Sequence, residues 1–155
     1  MEAKIISRPE MTLVGIVGTA PSVNELDIGE LWERFIAESR NLPHQIDEEK
    51  GYEVHIEEEQ SPRMHFCLIG VEVSQVEALP LEFFSKVIPA GQYALFTHSF
   101  REGSYGDAFK SAYDWVKASE YKPACAFDIQ CYDARFKGAD DPDSILEILI
   151  PVIRG

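Results

Sequence analysis

ILEILIPVI (residues 145–153) is the most apolar run of the chain, and it carries a single acid, Glu147. Read as a strand, its alternation puts Leu146, Ile148 and Ile150 on one face, suited to packing under a helix, and Ile145, Glu147 and Leu149 on the other. Eighty residues upstream stands another strand candidate, HFCLIGVEV (65–73), with Cys67 aligned on Glu147. The same offset sets Pro9 on Pro89 and Phe35 on Trp115, while Val54 matches Ile129 at an offset of 75. Unequal loops account for the difference: RNLPHQIDEEKG is longer than its second-half counterpart, and KGADDPDS is longer than EEEQSPR.

The elements between these strands repeat in the same order. DIGELWERFIAESR spaces Ile28, Leu31, Phe35 and Ile36 as a helix, with Asp27 and Glu30 as a capping box. SYGDAFKSAYDWVKAS does the same with Phe109, Ala112, Tyr113 and Val116, capped by Ser104 with Asp107. LVGIVG (13–18), YEVHIE (52–57), YALFTHSF (93–100) and FDIQCYD (127–133) complete the strands. The expected fold is α+β: a duplicated βαββ unit with two pseudo-symmetric antiparallel sheets and a cleft between the halves. Residues 1–155 read as a single domain with repeat halves at about 1–76 and 81–155, joined through EVSQVEALPLEFF (72–84).

Composition excludes several function classes. At 155 residues and 45% hydrophobic content the chain is long and apolar enough for a full core, which argues against disorder. A net charge of -13 disfavours nonspecific contact with nucleic acid or anionic membrane, so neither is an expected partner. Three cysteines without CxxC spacing suit neither a disulfide framework nor structural zinc. MEAKIISRPEM lacks the apolar core of a signal peptide, and no run approaches the ~20 apolar residues of a membrane helix, so a cytoplasmic location is expected.

Catalytic motifs are scarce. There is no GxSxG, glycine-rich phosphate loop or HExxH, and no catalytic residue is assigned. His55 and His65 are placed to face each other across a hairpin, a pattern more often structural than metal-binding, and no metal or other cofactor is assigned. Glu147 is either an ordinary solvent-facing strand residue or the charge of a cleft wall. Aromatic residues in strands (Tyr52, Phe66, Tyr93, Tyr132) and on helices (Trp32, Trp115) would favour a lipophilic cation if they converged on one carboxylate. The acidic runs EEEQ (57–60), DEEK (47–50) and GADDPDS (138–144) read as solvated turns or as a face for a partner.

IPAGQYALFTHSF, the helix AYDWVKAS, the strand FDIQCYDARF and the closing EILIPV, in that order, resemble the GyrI-like small-molecule-binding domain, also the effector-binding part of AraC-type and MerR-type regulators. The resemblance covers nearly the whole chain and implies a ligand cleft between the halves that takes amphipathic, often cationic compounds. It implies as ligand-binding residues Glu147 of the EIxIPV pattern, Tyr93 after the PAG turn, Tyr132 of the FExYD pattern and Trp115 of the helix. Two positions depart from the family pattern: Gln130 replaces an acid, and Cys67 stands where relatives often place tyrosine. With Phe66 as a further wall, the expected site is Glu147, Gln130, Tyr93, Trp115, Tyr132, Phe66 and Cys67. The chain begins at the domain's first strand, so it reads as a stand-alone form without a helix-turn-helix.

The first functional reading is a protein that sequesters or senses an amphipathic compound. The enzymatic alternative, which the resemblance implies, is a hydrolase of reactive cyclopropane-bearing compounds with Glu147 as base and Tyr132 or Tyr93 as acid or orienting hydroxyl. The third is a gyrase-inhibitor-like interaction module presenting Asp140, Asp141 and Asp143 to a basic protein partner. Exposed strand edges also allow a homodimer.

Overall fold

The β-rich and amphipathic segments fold as read, with flanking additions. In the computed structural model, which describes residues 2–57 and 64–155, the chain runs β1 (Ala3–Arg8), β2 (Met11–Ala20), α1 (Ile28–Glu38), β3 (Gly51–Glu57), β4 (His65–Val73), β5 (Phe84–Ile88), β6 (Gly91–Ser99), α2 (Tyr105–Ala118), β7 (Tyr121–Pro123), β8 (Phe127–Tyr132) and β9 (Ile145–Arg154). Each repeat therefore opens with an extra strand, β1 or β5, that the hydrophobic pattern did not reveal. β5 is exposed at four of its five residues, so its sequence lacks the buried alternation that marks a strand. Of the acidic run EEEQ, only Glu57 falls within the described residues.

The helix starts follow capping chemistry. Asp27 accepts from the Glu30 backbone N–H at 3.0 Å, and Ser104 accepts from that of Asp107 at 3.2 Å. Along α1, Leu31 and Phe35 enter the core, whereas Ile36 stays exposed.

The strands form one antiparallel sheet in the order β1-β6-β9-β8-β3-β4-β2-β5, with β7 on the flank of β9. The two sheets expected from the repeat are the two halves of this continuous sheet, joined by β3 and β8. Reversing the order exchanges β1 with β5, β6 with β2, β9 with β4 and β8 with β3, so the sequence repeat is a pseudo-two-fold axis. Val54 pairs with Ile129, the residues matched at 75, and the axis passes between them.

Cross-strand partners correct one alignment. His55 pairs with Cys67, and its equivalent across the axis, Gln130, pairs with Ile148. The symmetry carries His55 onto Gln130 and Cys67 onto Ile148, one residue beyond Glu147. A one-residue slip reverses the face. Cys67 accordingly lies under α1, and Glu147 lies on the face without helices.

Both helices cover the same face. Leu31 and Phe35 pack with Val14, Ile16 and Ile69, while Ala108, Ala112 and Val116 pack with Phe96, Leu146 and Ile148. On the opposite face Leu13, Tyr52, Val54, Leu68, Tyr93, Ile129 and Leu149 pack among themselves. The sheet must curl to allow this, because β1 and β2 lie near its opposite ends yet are joined by Pro9 and Glu10 alone. Such a link spans at most about 11 Å.

Candidate functional site

The curled sheet and its two helices leave a gap at the pseudo-axis. Because α1 sits over β2 and β4, and α2 over β6 and β9, the central pair β3–β8 is left between them. The gap is a cavity of about 700 Å³. Ile28, Trp32 and Ile36 form the α1 wall. Phe100, Tyr105, Tyr132 and Phe136 form the wall from the second half, and Glu53 lies at the floor.

Strand pairing places the polar floor. Glu53 and His55 of β3 are opposite Gln130 and Asp128 of β8, four polar side chains on two adjacent rungs of one face. Glu53 is 1% exposed. Its Oε1 accepts from the Trp32 indole Nε1–H at 2.7 Å, and its Oε2 accepts from the Tyr105 hydroxyl at 3.1 Å. His55 Nε2 lies 2.6 Å from Oε2, and His55 Nδ1 lies 2.7 Å from His65 Nε2. A neutral His55 satisfies both contacts when His65 Nε2–H donates to Nδ1 and His55 Nε2–H donates to Glu53. Gln130 Oε1 accepts from Tyr132 at 2.9 Å and from Tyr105.

Aromatic rings continue the walls. Trp32 meets Tyr132 edge-on at 5.1 Å, Tyr132 meets Phe136 at 4.8 Å, and Phe136 meets Phe100 at 5.8 Å. Burial first, and the Glu53 charge second, push the Tyr105 and Tyr132 phenols well above their ordinary range, so both remain hydrogen-bond donors. Among the described residues, no lysine or arginine pairs with Glu53. The cavity therefore offers hydrogen-bonded aromatic walls and one buried carboxylate without a permanent counter-charge.

The residues expected from the sequence are divided by this geometry. Tyr132 lines the cavity, and Gln130 lies beneath it, bonded to Tyr132 and Tyr105. Cys67 is buried beside His55, with Sγ 3.9 Å from Nε2. Tyr93 belongs to the core of the opposite face and donates to the Pro89 carbonyl at 3.0 Å. Phe66 lies on β4 between Thr19 and Ile56, and Trp115 packs edge-on against Phe96 at 5.7 Å. Glu147 is outside the cavity and is ion-paired with Arg135, a guanidinium it shares with Asp133.

The acid and the tryptophan that line the cavity are Glu53 and Trp32, whereas Glu147 and Trp115 lie away from it. In YEVHIE the acid sits on the polar side of a clean alternation and reads as solvated. The repeat held the better signal: at the offset of 75, Glu53 falls on Asp128, so both halves carry an acid at this point.

No helix among the described residues is long and apolar enough to cross a membrane. Comparison with known proteins places the chain. It is 32% identical over 156 residues to the transcriptional regulator BrlR of Pseudomonas aeruginosa, covering 98% of this chain and 56% of that protein, so it spans little more than half of the regulator's length. Among solved structures, the fold matches the integron cassette protein VCH_CASS2 from the mobile metagenome of Vibrio cholerae, with TM-score 0.63 and 21% identity over 97% of this chain and 95% of that one. It matches SAV2435 bound to tetraphenylphosphonium with TM-score 0.70 and 20% identity, over 99% and 94% of the two chains. The model of the integron-associated effector binding proteins, Cass2, aligns with residues 4–152. With the α+β fold and the GyrI-like resemblance both upheld, the chain belongs to the Cass2 family of integron-associated effector binding proteins.

Proposed function

We propose that this chain binds an amphipathic organic cation in the cavity at the pseudo-axis, with Glu53 as the counter-charge and Trp32, Tyr105, Tyr132 and Phe136 as the walls. The observation that carries this reading is the burial of Glu53 without a lysine or arginine partner among the described residues. Trp32, Tyr105 and His55 answer its hydrogen-bonding capacity but bring no permanent positive charge, and a lipophilic cation supplies that charge together with apolar surface. The tetraphenylphosphonium bound by the structural relative SAV2435 is a compound of that class and supports the reading. The whole domain acts as one unit in this proposal, each half contributing one wall. Gln130 acts by holding the two tyrosines, while Glu147, Tyr93, Phe66 and Trp115 support the fold elsewhere.

Titration with tetraphenylphosphonium, followed by calorimetry and by Trp32 fluorescence, tests the proposal. Binding is expected for the cation and much less for neutral triphenylphosphine oxide. Glu53→Gln should weaken binding of the cation by roughly 10- to 100-fold, since an interaction with a charged group is worth about 1.5–3 kcal/mol. Equal affinity of Glu53→Gln for the cation would sink the assignment.

A further inference from the structure

The polar floor contains more than an organic cation requires. Glu53, His55 and Cys67 each offer one ligand atom, and these atoms lie within 4.8 Å of one another. His55 Nε2 is 2.6 Å from Glu53 Oε2 and 3.9 Å from Cys67 Sγ. Among the described residues this is the one cluster of its kind. From this arrangement we propose that Glu53, His55 and Cys67 form a binding site for a borderline-soft divalent ion of the zinc class.

Three features of the structure support it. First, the donors stand on adjacent strands: Glu53 and His55 alternate on β3, and Cys67 is the cross-strand partner of His55. Such positions are held by the ladder rather than by a loop. Second, the outer partners have the chemistry that steadies metal ligands. His65 Nε2 lies against the remaining ring nitrogen of His55, and the Trp32 indole holds the second oxygen of Glu53. Third, the repeat supplies an internal comparison. Across the pseudo-axis the equivalents of His55 and Cys67 are Gln130 and Ile148, so the sheet folds without imidazole or sulfur there.

The protons balance in a defined way. Unliganded, His65 donates to His55 Nδ1 and His55 Nε2–H donates to Glu53. When the ion takes Nε2, that proton is lost from Nε2 and one is gained at Nδ1, which then donates to His65; His65 changes tautomer in turn, and both rings stay neutral. Cys67 binds as thiolate and gives up its proton, so one proton leaves per ion near neutral pH. Three protein donors leave a further position open for water. His55 and His65 also line a second cavity of about 310 Å³, a route for entry.

Cobalt(II) and zinc(II) titration of the purified full chain tests this. Cobalt should give a thiolate-to-metal charge-transfer band and the strong visible bands of a tetrahedral ion, both removed by one equivalent of zinc. Calorimetry in buffers of different ionisation enthalpy should report release of about one proton. Cys125→Ser should keep the band, because Cys125 is exposed and apart from the cluster. Cys67→Ala should lose it, and His55→Gln, which installs the residue found across the axis, should lose tight binding even where Cys67→Ala fails to fold. His65→Gln should weaken zinc by about tenfold, as loss of an outer partner does. Absence of the charge-transfer band, or its survival in His55→Gln, would overturn the proposal.

Discussion

At the scale of single residues, two acids show what an alternating pattern can and cannot tell. Glu147 stood out because its neighbours are apolar, yet it faces away from the cavity and shares the Arg135 guanidinium with Asp133. Glu53 lies in an ordinary-looking strand and is nearly inaccessible. Alternation separates two faces but does not say which of them meets water; here the polar face of β3 forms the floor of the gap between the two helices. Asp128, the pseudo-symmetric mate of Glu53, bears the consequence. Its Oδ2 accepts from Tyr113 at 2.8 Å, while its Oδ1 is buried without a partner among the described residues. Burial chiefly, against the lowering effects of Tyr113 and His55 and with the raising effect of Glu53, pushes its carboxyl from 3.8 to about 6. The folded state thus holds this proton more tightly than the unfolded chain. The stabilisation is fully present below about pH 4 and is lost as pH rises through about 6. Asp128→Asn keeps an acceptor for Tyr113 without the charge. Its melting temperature should match wild type near pH 4 and exceed it at pH 7 by several degrees, since about 1 kcal/mol moves a domain of this size by 2–4 °C. A difference that does not change with pH would refute the charge argument.

Among the elements, the helices and the strands of high alternation were legible in the sequence, while β1, β5 and β7 were not. β5 and β7 are short and largely exposed, so little burial distinguishes them from loops. The cavity was partly legible: the repeat implied a cleft between halves, and Tyr132 and Gln130 were placed at it. Trp32 is named among the candidate aromatics but not in the expected site, because helical spacing alone does not separate a core-facing residue from one at the rim of a groove. Its position depends on β3. Gly51 has no side chain where the indole lies, and a Cβ there would stand 2.9 Å from the Trp32 ring. Gly51→Ala would displace the far end of one side chain rather than backbone, so the fold should survive. The expected outcome is a shifted tryptophan emission and weaker tetraphenylphosphonium binding with little change in melting temperature. Unchanged emission and affinity would show that the indole is not held by this contact.

For the molecule as a whole, the repeat produces interlocked halves rather than two separable ones. β1 leaves its own repeat to pair with β6, and β5 leaves its repeat to pair with β2. The crossings are alike: Pro9 follows β1 and Pro89 follows β5, each before a two-residue link closes. Proline fixes the local φ and has no N–H, and it restricts the preceding residue to extended backbone, so neither link folds back as a hairpin. Each half therefore completes the sheet edge of the other, and the cavity at the axis needs both. Removing residues 2–8 tests this at a distance. Tyr93, Ala94, Leu95 and Phe96 pair with β1 across six residues of ladder, so alternate amides of β6 should lose hydrogen-exchange protection although they belong to the other repeat. β4, flanked by β2 and β3, should keep its protection. Loss confined to β2, the sequence neighbour of the deleted strand, would contradict the exchange of strands. Loss concentrated on β6 would explain why a repeat of about 80 residues occurs here as a fused pair: an isolated half would carry an unpaired edge and only one wall of the cavity.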